Sequence, residues 1–257
     1  MGLTLDLAAV LREAGARWRA DRALLLPLAA LFLFVPQWGV LMLLPEPPHP
    51  GAAGDQAAVQ AWGTAMSGWT ERYGLWQLVA YLLTQFGQLA IIALYVAEGA
   101  RPTVGGALMQ GLRRLARFVL AGVLVTFPLG ALGWVLMGVP GALFLLVPLT
   151  FYLLGRTVLA GPALLASGRV GAARSLAASW RWTTGNGAAL ALLVGGLVLG
   201  APVLAQVARA AGEGLRAGGV ANPVLVAFID ALAAGFAATA MLLLSMVAGV
   251  LYRRLAR

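Results

Sequence analysis

Six stretches of this chain are each long and apolar enough to cross a bilayer as a helix, and that pattern limits the fold more than any motif does. They cover about residues 23–44, 74–97, 118–138, 142–166, 186–208 and 223–251. The first is 22 residues, about 33 Å as a helix at 1.5 Å per residue. A secretory leader has an apolar core of only about 7–15 residues, so this run reads as a span and not as a cleaved leader. Phe118 to Gly155 is uncharged and too long for one crossing. Gly138-Val139-Pro140-Gly141 interrupts it, which predicts a tight hairpin between spans three and four.

Composition narrows the chemistry. Of 257 residues, 61% are hydrophobic and 11% are charged, against about 25% charged in soluble domains. Cysteine is absent, which excludes disulfides, thiolate metal sites and Cys nucleophiles. The one histidine, His49, lies in a Pro-rich loop, so His-based metal or Ser-His-Asp chemistry has no material. All eighteen basic residues are Arg, so a phosphate loop of the Walker type lacks its Lys. Gly212-Glu213-Gly214-Leu215-Arg216-Ala217 matches the dinucleotide fingerprint loosely but has no strand before it. The arginines are spread between spans and form no single patch, which argues against nucleic acid. No cofactor, no metal and no enzymatic centre are expected.

The arginines do have an order. Fourteen fall in segments on one side of the spans: the segment before span one, those between spans two and three and between four and five, and the tail. The other side has Arg72, Arg209 and Arg216, and Arg156 lies within span four. The positive-inside rule then puts both termini in the cytoplasm.

Each arginine-rich segment also has helical periodicity. Leu3, Leu7, Val10, Leu11, Ala14 and Trp18 share one face of the first. Val104, Leu108, Leu112 and Leu115 form the apolar line of the second, beside Arg113, Arg114 and Arg117. Val170, Ala173, Ala177 and Trp180 form that of the third, with Arg174 and Arg181. The predicted fold is therefore an all-α membrane protein, one domain over 1–257. Its six transmembrane helices form three repeats of a cytoplasmic amphipathic helix and a transmembrane hairpin. Arg113, Arg114, Arg117, Arg174 and Arg181 are candidate contacts for anionic lipid headgroups. In the outer segment 45–73 a Pro-rich start precedes an interfacial helix, with Val59, Trp62, Met66, Trp69 and Tyr73 on one face.

Ionisable and polar groups at membrane depth are the candidate site. Arg156 falls near the middle of span four and Asp230 in the outer half of span six. Span two carries Gln77, Tyr81, Thr84, Gln85, Gln88 and Tyr95, with Glu98 near its inner end. One reading is a polar cavity lined by Arg156, Asp230, Gln88, Gln85, Tyr81 and Glu98, as in a small transporter or lipid translocator. The other is structural: an Arg–carboxylate pair, or Arg bonded to the carbonyls of a broken helix. Only Pro27, Pro36, Pro128 and Pro148 suggest helix breaks. Small residues Ala191, Gly195, Gly196 and Gly200 on span five, and Ala227, Ala231, Gly235 and Thr239 on span six, predict close packing of five on six.

Some of these residues carry a resemblance. Pro140-Gly141, Tyr152-Leu153-Leu154-Gly155-Arg156, Pro162, Ala173-Arg174-Ser175-Leu176 and Trp182-Thr183-Thr184-Gly185 resemble the glycerophosphoryl diester phosphodiesterase membrane-domain family and its YciC-like relatives. Leu5-Asp6-Leu7-Ala8-Ala9-Val10-Leu11-Arg12-Glu13 is similar to that family's first amphipathic helix. The resemblance implies a multi-pass protein of the bacterial inner membrane with a role in lipid or envelope homeostasis. It implies no phosphodiesterase activity, because that catalytic domain is a separate soluble barrel. The acid that members place after the span-four Pro is missing here, where Ala163-Leu164-Leu165-Ala166-Ser167-Gly168 stands.

Overall fold

The computed structural model describes residues 5–49, 56–96, 103–136, 141–167, 170–217 and 222–256. The chain folds as α1 (Leu7–Ala29), a π-helical segment (Ala30–Phe34), α2 (Val35–Leu43), α3 (Gln56–Val96), α4 (Val104–Leu136), α5 (Ala142–Thr157), α6 (Ala160–Ala166), α7 (Ala172–Trp182), α8 (Gly187–Ala217) and α9 (Pro223–Leu255). Six helical segments are long and apolar enough to cross a membrane, as the apolar stretches predict.

The lengths of these elements differ from expectation because nothing in the sequence stops them. The amphipathic segments predicted before spans one and three are continuous with those spans, in Leu7–Leu43 and Val104–Leu136. Asp6 starts the first of them: its carboxylate accepts the Ala9 N–H at 3.0 Å, which holds the carboxyl below the usual aspartate range. The predicted outer interfacial helix is not a separate element either. It is the first half of the 41-residue α3, about 61 Å long. The interior glycines of α3 cost only about 1 kcal/mol each relative to Ala, too little to break a helix. Only the third amphipathic segment, α7, is a separate helix. It ends at Thr183, and Gly185 at φ 83 makes the left-handed turn into α8.

Pro162 makes the break in span four, and not one of the four prolines singled out above. Its ring would collide with the carbonyl four residues back, at Val158, and α5 stops at Thr157. Pro27, Pro128 and Pro148 are carried inside helices, while Pro36 follows the π-helical turn, where Val35 N–H bonds to Ala30 O. Residues 137–140 of the predicted hairpin lie outside the described residues. Gly141 at their edge has φ 80, a conformation that favours glycine.

The core lies toward the arginine-rich end. One cluster joins Val10 and Ala14 to Leu89, Ile92, Leu159, Leu190, Val247 and Leu251. A second joins Leu25 and Leu33 to Ile91, Tyr95, Leu242 and Met246. The other end is open: Val135 is 78% exposed and Phe144 85%. Total accessible surface is 14425 Å², against about 10,700 Å² for a water-soluble monomer of this mass. Many large apolar side chains are among those exposed, and lipid is the solvent that tolerates them.

Span five packs on span six as predicted, α8 against α9, but the closest backbone approach at small residues is between α5 and α8. A Cβ on Gly155 would meet Ala191 N at 2.7 Å, and one on Gly195 would meet the Phe151 ring at 2.8 Å. The small face of α8 thus receives α5, whereas Gly196 and Gly200 meet nothing within 4 Å. Gly235 and Thr239 of α9 line a cleft against α1, and Ala227 O accepts the Trp38 indole N–H at 3.4 Å.

Candidate functional site

The break in span four opens a hydrogen-bonding problem that α7 solves. Where a helix stops, carbonyls before the stop and N–H groups after it lose their partners. Here the Ser179 hydroxyl donates to Arg156 O at 2.7 Å and accepts from Leu159 N–H at 3.1 Å. The Thr183 hydroxyl lies 3.3 Å from the same oxygen, although its shortest bond is to Ser179 O at 2.8 Å within α7. Both side chains are fully buried, and Gln110 closes the far end of α6 by donating to Leu165 O at 3.2 Å.

Arg156 returns the contact. It occupies the last turn of α5, not the middle of an unbroken span, and is 5% exposed. Its guanidinium donates to Thr183 O at 2.7 Å and to Trp180 O at 2.8 Å, the carbonyls at the end of α7. Thr184 Oγ1 lies at 3.5 Å. The guanidinium carbon lies 4.4 Å from the Trp180 ring centroid. Two helix C-termini therefore converge on one cation. Each has negative partial charge, so Arg156 is compensated without any carboxylate. Arg156 thus bonds to backbone carbonyls, as one of the two structural alternatives has it, but they belong to the end of α7 and not to the broken helix.

The orientation of α7 explains why its buried face is polar. Ala172, Ser175 and Ser179 point inward, while Ala173, Ala177 and Trp180, three of the predicted apolar line, are exposed. The hydroxyls seal the break and the apolar side is left to lipid. Ser179→Ala is expected to cost about 1–3 kcal/mol, because it orphans buried Leu159 N–H and weakens a carbonyl contact. Ser175 Oγ bonds only to Ala172 O in its own helix, so Ser175→Ala should be close to neutral. Thermal midpoints of the two variants in detergent separate these outcomes; equal midpoints would show that Ser179 closes nothing.

The remaining candidates are dispersed. Trp182, beside the Arg156 contacts, packs on Tyr252 with ring centroids 5.6 Å apart. Asp230 is 22 residues before Tyr252 on α9, about 33 Å along the axis. Arg156 and Asp230 thus lie toward opposite ends of the bundle and form no pair, and among the described residues Asp230 makes no ion pair. Gln85 and Gln88 are half-buried, and Tyr81 is exposed with its hydroxyl near Gly122. Thr84 is buried and donates to Ala80 O at 2.9 Å. Tyr95 donates to Asp21 at 3.2 Å. Glu98 lies outside the described residues. None of three clefts in the structure is lined by Arg156, Asp230, Gln85, Gln88 or Tyr81.

Two ties near the arginine-rich end escaped the sequence reading. Arg254 donates from Nε and Nη2 to Glu13 Oε2 at 3.0 and 2.9 Å, joining α9 to α1, and Glu13 also holds Arg17. Asn186 accepts Leu5 N–H at 3.0 Å, joining the start of the described chain to the turn after α7. Neither has a local signal, since partners 241 and 181 residues apart share no periodicity.

Of the five arginines singled out for lipid, Arg113, Arg114 and Arg117 lie on α4 and Arg174 and Arg181 on α7, and these two helices pack against each other. All but the half-buried Arg114 are exposed, and among the described residues none of the five makes an ion pair. Comparison with family models, with curated proteins and with solved structures returns no match for this chain.

Proposed function

We propose that this is a multi-pass protein of a bacterial inner membrane, without an enzymatic centre, that acts on lipid organisation through its arginine-rich cytoplasmic face. The observation that carries the proposal is the packing of α4 on α7, two helices that between them carry five arginines without acid partners among the described residues. Each such cation near an anionic surface contributes about 1 kcal/mol of attraction. The exposed Ala173, Ala177 and Trp180 face of α7 gives the same surface an apolar side that can enter the headgroup layer. A role in envelope homeostasis, the threefold repeat and cytoplasmic termini belong to this reading, as does the resemblance to the phosphodiesterase membrane-domain family. Against the alternative of a transporter stands the engagement of Arg156 with backbone carbonyls, which leaves it no free fork for a substrate.

The test replaces Arg113, Arg114, Arg117, Arg174 and Arg181 together by Gln. Phosphatidylglycerol added to the purified parent should raise its thermal midpoint more than phosphatidylcholine does, and the five-fold variant should lose most of that difference. An undiminished difference would reject the arginine-rich face as the lipid contact. Reporter fusions at Gly51 and Gly168 check the orientation: the first should report periplasm and the second cytoplasm.

A further inference from the structure

A cleft of about 400 Å³ runs between α2 and α3 at the arginine-poor end of the molecule, away from the surface just discussed. Its walls are apolar, with Pro36, Gly39 and Val40 on one side and Val79, Ala80 and Leu83 on the other. Arg72, Tyr73 and Trp76 form its mouth. Tyrosine and tryptophan belong at the membrane–water boundary, so the mouth stands at headgroup level and the walls run into hydrocarbon. From Arg72 to Leu83 the cleft follows eleven residues of α3, about 16 Å along the axis.

We propose that this groove holds one acyl chain of an anionic phospholipid from the leaflet at the arginine-poor end, with the lipid phosphate on Arg72. Charge complementarity commits the site to this occupant. Arg72 is exposed, and among the described residues it makes no ion pair. The acids nearby do not compete: Glu71 is a quarter-turn round α3, and Glu46 faces His49 at 3.9 Å. A guanidinium fork matches a phosphate, and Tyr73 lines the same cleft. Gly39 opens onto free space in the groove wall, where a Cβ would meet nothing within 4 Å. This inference needs the chain to be membrane-embedded but does not depend on the five arginines at the other end.

The test uses purified full-length protein in detergent, offered equal phosphatidylglycerol and phosphatidylcholine, with retained lipid counted by native mass spectrometry. The parent should keep one phosphatidylglycerol with about a fivefold preference over phosphatidylcholine, the share of one arginine at a lipid surface. Arg72→Gln should abolish that preference. Gly39→Leu, which fills the groove without touching the fold, should release lipid of either kind at an unchanged thermal midpoint. If Gly39→Leu lowers the midpoint, the Arg72→Gln result decides alone. Measured again in the five-fold Gln background, the same preference should persist, which separates this site from the arginine-rich face. A parent without preference, or an Arg72→Gln variant that keeps it, overturns the proposal. So does a Gly39→Leu variant of unchanged midpoint that still retains lipid. A parent that is dimeric and becomes monomeric in Gly39→Leu, without retained lipid, would assign the groove to a second copy and overturn it as well.

Discussion

Gly155→Ala is expected to lower stability by about 3 kcal/mol, an unusually large effect for a single added methyl group. The new Cβ would lie 2.7 Å from Ala191 N and 2.8 Å from Leu190 C. Those are backbone atoms of α8, which cannot swing aside as a side chain can, so α5 and α8 must move apart along their contact. In a membrane this contact is held by close van der Waals approach, since lipid supplies no hydrophobic drive between helices. Gly196→Ala is the matched control. It lies on the same helix as Ala191 but opens onto free space, so it should be neutral or stabilise by up to about 1 kcal/mol through helix propensity. Thermal unfolding of both variants in one detergent gives the comparison. Equal midpoints would show that α5 and α8 do not approach at Gly155.

Arg156→Gln is the second large effect. Hydrogen bonds from a charged donor contribute about 1.5–3 kcal/mol each, and the guanidinium makes two to buried carbonyls of α7. A combined loss of roughly 3 kcal/mol or more is expected, together with lower abundance in the membrane. Arg156→Lys should recover only part of it, because an ammonium is a point charge and cannot span Trp180 O and Thr183 O as a planar fork does. A Gln variant as stable as the parent, yet without biological activity, would reverse the assignment and return Arg156 to a substrate path.

How far the chain could be read in advance depended on the range of the determining force. The spans come from hydropathy, which each segment carries by itself, so Pro223–Leu255 agrees closely with the predicted 223–251 apart from its basic end. Boundaries between amphipathic and spanning parts were lost because α1 and α4 contain no residue that stops a helix at the membrane surface. The break in span four was legible in Pro162 and was assigned to other prolines. What it does could not be read, because it depends on Ser179 and Thr183 arriving from another helix. Ser179 and Thr183 carry a weak signal of their own: hydroxyls four apart on the face of α7 opposite its apolar line. Arg156 stands out by its rarity at membrane depth, and backbone carbonyls are among the partners its position suggests, but that those carbonyls belong to α7 is not written in the sequence.

By itself the sequence determined the six segments long and apolar enough to cross a membrane and the uneven division of arginine between the segments that join them, since hydropathy and charge are properties of single residues summed along the chain. Tertiary structure alone decided which faces meet. It brought Ala191 and Gly195 of α8 against α5, set the hydroxyl face of α7 on the broken helix, and gave Arg156 two helix ends in place of a carboxylate. The physical reason is that a partly buried polar group takes the nearest geometry that satisfies it, and nearness among helices that cross a bilayer is set by packing, not by position in the chain.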